Sequence, residues 1–304
     1  MLSESATVSG LRPLDDDLAA PFQIEGQTVR GRLVRLGPAV DEMLSRHDYP
    51  EPVARLLGEA AALAALVGSG LKFDGRLIVQ AQGDGPVAYL VVDYDSSGGL
   101  RGYCRFDADR LAALDQLRPG AATLLGQGVF VMTIDPTDGE RYQGMTAIEG
   151  DTLALSAEEY FVRSEQTPTQ VRLAVGRVHD QGGAYWRAGG MMIQSIAGDQ
   201  ARGSTEEDWR TAQALFATLS DDELVDPRIP PETLLFRLFH EDGVRLFPAK
   251  AIKAFCRCSD ARVTGMLKSF PADEIAGMAE ADGQIRVTCE YCSRRYTIDP
   301  AALA

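Results

Sequence analysis

The sequence predicts an α+β chain in three parts. These are an N-terminal sheet-and-helix core domain over residues 21–196, a helical linker region over 197–247, and a small cysteine-rich C-terminal domain over 248–300. Three observations carry this reading. Alternating, strand-like patterning dominates as far as Ile196. Between Asp199 and Asp242 the pattern becomes helical and acidic, with eleven acidic and four basic residues. Finally, four of the five cysteines fall in two tight clusters, Cys256 with Cys258 and Cys289 with Cys292.

Length and composition narrow the possibilities. A chain of 304 residues holds one large domain or two to three smaller ones. The formal charge of −14 argues against general nucleic-acid binding, which needs a basic face for phosphates. Residues 1–20 read as a polar tail ending in Asp15, Asp16 and Asp17, with no apolar signal region. The longest apolar run, Ala60 to Val67, is too short to span a membrane. Free cysteines without a secretory signal predict a reducing, cytoplasmic location.

Taken in order, Phe22 to Leu36 alternates apolar and polar residues about a turn at Gly26 and predicts strands. Pro38 to Gly70 reads as helical, its Ala/Leu run having the period of a buried helix. A hairpin follows, Leu77 to Gln82 and Val87 to Asp93, turning at Gly83-Asp84-Gly85-Pro86. That turn formally matches the G-x-G-x-x-A dinucleotide fingerprint, but the fingerprint requires a helix after the glycines and a β-branched strand follows here. Gly99 to Phe106 and Gly128 to Asp135 supply further strands, and Cys104 within the first reads as a small buried apolar residue. Ser156 to Ser164 is expected to be a helix opened by a Ser156/Glu159 capping box, with strands at Val171–Val178 and Ala184–Ile196.

In the linker, Ser204/Glu207 and Ser220/Glu223 predict two capped helices, and Pro230-Pro231 opens a third. Trp209, Ala212, Leu215, Phe216 and Leu219 form one apolar stripe; Leu234, Leu235, Leu238 and Phe239 form another. These helices are short, so docking on a neighbour must stabilise them. Beyond Arg245 the charge reverses, with nine basic and six acidic residues up to Ile298. Here Ser259–Leu267 and Asp273–Glu280 are expected helices, and Gln284–Thr288 a strand leading into Cys289.

Cys256, Cys258, Cys289 and Cys292 make a C-x-C and a distant C-x-x-C, a pattern that suits one tetrahedral Zn²⁺ and makes the C-terminal part a four-cysteine zinc-binding domain. Lys253, Arg257, Arg294 and Arg295 flank the thiols and would offset the negative charge of a four-thiolate site. The bland alternative is an inert staple. Against it, metal binding ties the two pairs together, whereas disulfides within each pair would close only short loops and leave the halves unlinked. Oxidation would then unfold the module.

A family resemblance rests on six motifs in order. They are Arg101-Gly102-Tyr103; Leu124-Leu125-Gly126-Gln127-Gly128; Tyr160-Phe161-x-x-Ser164-Glu165-Gln166-x-Pro168; Ala188-Gly189-Gly190-Met191; Leu238-Phe239-His240; and the two cysteine pairs. With these, the chain from about Phe22 to Asp299 resembles the redox-regulated heat-shock holdases, the 33 kDa chaperonins. The resemblance implies an ATP-independent cytoplasmic chaperone, not an enzyme, that is monomeric and holds one Zn²⁺ when reduced. On oxidation it implies disulfides Cys256–Cys258 and Cys289–Cys292, zinc release, linker unfolding, a homodimer, and binding of unfolded or partly folded client proteins. Trp209, Leu215, Phe216, Leu235 and Phe239 are the expected client-binding residues. The long polar N-terminus, the short end after the cysteine module, and Cys104 depart from the family pattern.

Two other readings compete, a constitutive zinc module and an enzyme, either a zinc hydrolase or a thiol oxidoreductase. A constitutive four-cysteine zinc module could bind protein or nucleic acid through Phe255, Tyr291, Tyr296, Arg294 and Arg295, but the acidic chain opposes it. A zinc hydrolase would keep an open site with His or carboxylate ligands, and His47, His179 and His240 stand in no such setting. A thiol oxidoreductase would place C-x-x-C at the start of a helix, whereas a strand follows Cys292.

Overall fold

In the computed structural model, which describes residues 16–180, 183–196 and 205–303, the chain divides into two units, Met1–Ala254 and Phe255–Ala304. The first unit opens with a hairpin of β1 (Leu18–Ile24) and β2 (Val29–Leu36). Leu18, Ala19 and Ala20, expected in the polar tail, are buried in β1. The acidic end of that tail is also structural. The Asp17 carboxylate accepts the N–H groups of Gly37 (2.8 Å) and Ala39 (2.9 Å) at the start of α1 (Pro38–Ser45), supplying the cap that the helix lacks locally. Residues 1–15 of the predicted tail lie outside the described residues.

The expected helical run from Pro38 to Gly70 is two helices, because Pro50 holds extended backbone (ψ 149°) and Pro52 sits in the first turn of α2 (Glu51–Gly68). Thirteen of the 18 residues of α2 are buried, as expected from the buried-helix period of its Ala/Leu run. Two sheets contact it from different sides. Glycines allow close approach at both: a Cβ on Gly58 would collide with Val175, and one on Gly68 with the Tyr94 ring.

The middle of the unit comprises β3 (Gly75–Gly83), β4 (Val87–Asp95), β5 (Gly99–Phe106), α3 (Ala108–Ala112), α4 (Ala121–Leu125), β6 (Gly128–Pro136) and β7 (Tyr142–Ala147). The Gly83–Pro86 segment is the β3–β4 turn, which disposes of the dinucleotide fingerprint. Helix α5 runs Leu153–Tyr160 and continues into a wider π-helical turn, Phe161–Glu165. The predicted start at Ser156 is therefore wrong: Ser156 is buried inside the helix and cannot cap it. The cap comes from α2 instead, where the Glu59 carboxylate accepts the Leu153 N–H (3.2 Å). A distant capping residue leaves no local sequence signature. Strands β8 (Thr169–Asp180) and β9 (Gly183–Ser195) form a long hairpin.

The helical stretch contains α6 (Thr205–Phe216), α7 (Asp221–Val225) and α8 (Pro231–Phe239), followed by β10 (Val244–Leu246), β11 (Lys250–Ala251) and β12 (Lys253–Ala254). The Ser220/Glu223 capping box forms as predicted; Ser204 of the other box lies outside the described residues. One sheet has the order β10-β1-β2-β9-β8, with β11 also on β1; the other has the order β12-β5-β4-β3-β6-β7. One face of the first sheet packs on α2. The other carries Phe22, Leu33, Met191 and Ile193, on which Ala212, Phe216, Leu219, Leu224, Leu234, Leu235, Leu238 and Phe239 close a second core.

A pair of arginines fastens this helical stretch. Arg35 donates to the carbonyl oxygens of Asp226 and Ile229 (the latter at 3.0 Å), and Arg187 Nε donates to that of Val225 (2.8 Å). Both side chains are buried, and Arg187 is also held by both oxygens of Asp16. Gly189, between them on the same face, has no side chain to obstruct the Leu224 carbonyl.

The second unit consists of α9 (Asp260–Leu267), α10 (Ala272–Met278), and the hairpin β13 (Ile285–Thr288) and β14 (Arg295–Ile298). Ser259 caps α9 through the Arg262 N–H (3.3 Å). Its apolar core is Val263, Leu267, Ile285, Tyr296, Ile298 and Leu303. Among the described residues of the whole chain, no helix is long and apolar enough to cross a membrane.

Candidate metal centre

Both cysteine pairs sit on irregular backbone beside the second unit's small core. Cys256 and Cys258 lie in the extended segment before α9, where Ser259 begins the helix. Cys289 and Cys292 occupy the tight turn joining β13 to β14. This turn is closed by Cys289 N–H donating to the Arg294 carbonyl (2.9 Å) and Ser293 N–H donating to the Cys289 carbonyl (2.8 Å), with Ser293 in left-handed conformation (φ 56°). The hairpin thereby aims two sulfurs at one point.

The four Sγ atoms all lie within 4.8 Å of one another. Two close approaches run across the pairs: Cys256 to Cys289 at 3.7 Å and Cys258 to Cys292 at 3.3 Å. All four are free thiols, half-buried. Sulfurs about 2.3 Å from a central ion stand about 3.8 Å apart in a tetrahedron, so the cluster has the size and donor set of a tetrahedral site for a thiophilic cation.

The electrostatics point the same way. Burial raises the pKa values of Cys289 and Cys292, the latter to about 12. Burial also opposes ionisation of Cys258, but the nearby Tyr296 hydroxyl and the neighbouring thiols outweigh it and hold that thiol near 7. Of the flanking cations, Arg294 has its guanidinium carbon 5.2 Å from the centre of the Tyr296 ring and one nitrogen 3.9 Å from Asp260. Sequence reading gave Tyr296 no role at the sulfurs; its register in β14 opposite Val287 brings it there.

The five residues expected to bind clients are elsewhere, in the second core of the first unit. Phe216, Leu235 and Phe239 are buried, and Trp209 and Leu215 pack partly buried against them. The Phe239 ring stacks on Phe22 at 5.8 Å. Phe236, on the opposite side of α8, is 63% exposed beside His240 and falls outside the periodic apolar stripe that the sequence pattern picks out. Cys104 is buried with its pKa raised to about 12 by desolvation, an inert thiol as expected.

Comparison with known proteins gives one consistent result. A family model described as Hsp33 protein matches residues 17–299. A 33 kDa chaperonin of Caulobacter vibrioides is 66% identical over 288 residues, covering 94% of this chain and 95% of that protein. A 33 kDa chaperonin of Pseudomonas fluorescens is 39% identical, covering 95% and 93%. The crystal structure of the 33 kDa chaperonin of Thermotoga maritima shares the fold, with a TM-score of 0.76 at 24% identity over 94% of this chain and 96% of that one.

Proposed function

This chain belongs to the Hsp33 protein family, and from that membership we propose that it is a redox-switched, ATP-independent holdase of the cytoplasm. The observation that carries the proposal is the convergence of four thiols within 4.8 Å in a unit whose apolar core is only six side chains. A unit of about this size needs a metal or cross-links to stay folded. Cys256, Cys258, Cys289 and Cys292 would hold one Zn²⁺, whose charge offsets half that of the four thiolates and which links the two ends of the unit.

Oxidation proceeds within each pair. Two thiols lose two protons and two electrons as one S–S bond forms, and a peroxide accepts them and leaves as two waters. The disulfides Cys256–Cys258 and Cys289–Cys292 close short loops and no longer span the thirty residues between pairs. Loss of this unit's fold frees the adjoining linker, residues 197–247. Its undocking bares Phe216, Leu235 and Phe239 together with Phe22, Leu33 and Ile193 of the sheet beneath. Exposed apolar area of this kind captures unfolding chains, while the acidic linker surface keeps the complex dispersed. The reduced protein is a monomer and the oxidised one a homodimer.

The test follows aggregation of a denaturant-unfolded client by light scattering. The protein is added either reduced with zinc or after peroxide at mildly raised temperature, with released zinc and free thiols counted. Suppression by the oxidised, zinc-free form alone is expected. Equal suppression by both forms, or zinc retained after oxidation, would reduce the cysteines to a static staple and return the constitutive zinc module as the better account.

A further inference from the structure

Strand β7 ends the second sheet, with β6 on one side and no strand on the other among the described residues. Ile148 N–H donates to the Gly128 carbonyl (3.2 Å). Antiparallel strands alternate, so Tyr142, Gly144 and Thr146 turn their peptide groups toward β6, while Gln143, Met145 and Ala147 turn theirs outward. Among the described residues, none makes a backbone hydrogen bond to those outward groups. The strand reads Tyr-Gln-Gly-Met-Thr-Ala and carries no proline, charge or bulge, the devices that normally protect an edge.

Exposed apolar side chains gather on both sides of this edge. Met145 is 60% exposed, with Tyr142 and Val129 also exposed on the strands. Across a groove of about 440 Å³ lie Leu155 (49%) and Val162 (54%) of the α5 region, and Ala147 and Glu149 line the same groove. Five of the chain's large exposed apolar residues thus border one strand.

We infer that the occupant of this edge is β7 of a second copy, added antiparallel about a two-fold axis at Met145. Outward-facing residues must oppose outward-facing residues for the new hydrogen bonds to form. Centred on Met145, the pairing sets Met145 against Met145 and Gln143 against Ala147, and it brings Arg141 opposite Glu149 twice, one ion pair at each end. Both side chains are exposed, and Arg141 already bonds Asp135 (3.0 Å) with spare donors remaining. A shift toward the C-terminus is closed off, because Gly150 (φ 75°) ends the extended run. The six-stranded sheet then continues across the axis, and Leu155 and Val162 gain apolar neighbours from the partner. This rests on the homodimer of the proposed function and names its interface.

The test is sedimentation of the full-length chain, reduced and oxidised, over a concentration series. Glu149→Arg and Arg141→Glu each place like charges at both ends of the pairing, so each alone should weaken the dimer by at least about tenfold. An equimolar mixture of the two variants restores opposite charges and should recover near wild-type association. Met145→Lys, at an exposed side chain, should also weaken it. Variants that dimerise like wild type, or a mixture without recovery, would overturn this interface while leaving the dimer standing. Wild-type chain that stays monomeric in both states would overturn the dimer and this interface together.

Discussion

Truncating Phe239 to Ala should make the reduced protein behave as if oxidised. The side chain is fully buried, stacks on Phe22, and anchors α8 to the first sheet. Removing a buried phenylalanine ring costs about 3–5 kcal/mol. Helices α6, α7 and α8 span only 12, 5 and 9 residues, so none is stable once undocked. The loss therefore falls on the docking equilibrium of the whole stretch. At about 1.4 kcal/mol per tenfold, opening should become roughly 10²- to 4 × 10³-fold more frequent. Hydrogen exchange in reducing, zinc-containing buffer would read this out as faster exchange across α6–α8, with α2 amides unchanged. Client light scattering in the same buffer should show protection without peroxide. Accelerated exchange with no protection would refute the claim that the apolar docking face captures clients. Unchanged exchange would refute the anchoring role of Phe239 itself.

Two further outcomes follow from buried charges. Arg187→Met should lower the urea midpoint of the first unit by about 2 kcal/mol equivalent, less than a fully buried pair because Asp16 keeps 29% of its surface and can be rehydrated; a midpoint within error of wild type would show that the guanidinium contributes nothing to docking. Glu59 is buried and its pKa is pushed by desolvation from 4.5 to about 7. Between those values the folded protein holds a proton that the unfolded chain releases, so this group's contribution to stability falls as pH rises through the window. Glu59→Gln keeps an acceptor for Leu153 N–H without ionising, and should raise the urea midpoint at pH 8 more than at pH 5; parallel pH profiles for variant and wild type would contradict this. Asp17 and Glu158 are also raised by burial and keep part of the slope in both proteins.

Much of the chain was legible because its signals are local. The Gly26 and Gly83–Pro86 turns, the Ala/Leu-rich α2, the Ser220/Glu223 box and the two cysteine pairs each depend on residues within a few positions. What escaped reading depends on distant partners. Asp17 caps α1 from twenty residues away, and Glu59 caps α5 from ninety-four away, so the false box at Ser156 had no visible competitor. Arg35 and Arg187 could have been suspected, since each occupies a strand position in register with Leu33 and Met191 on an otherwise apolar face. The carbonyl groups they bind, at the end of α7, are not encoded by side-chain identity at all. Likewise Tyr296 reaches the sulfurs only through the β13–β14 register.

Those two arginines also bear on why docking should behave as a switch. Apolar contact alone is forgiving, since a helix can slide or lift by degrees while retaining part of its burial. A guanidinium aimed at particular backbone carbonyls is not. With α7 partly lifted, Arg35 would remain against the sheet without the Asp226 and Ile229 oxygens, and the Val225 oxygen would lose Arg187 before water could replace either. A buried polar group without a partner costs about 1–3 kcal/mol, more when it is charged. Intermediate positions are therefore raised in energy relative to both ends, fully docked and fully hydrated. In the proposed switch, the apolar residues would supply the affinity of the linker for the sheet, and the arginines would make its release all-or-none.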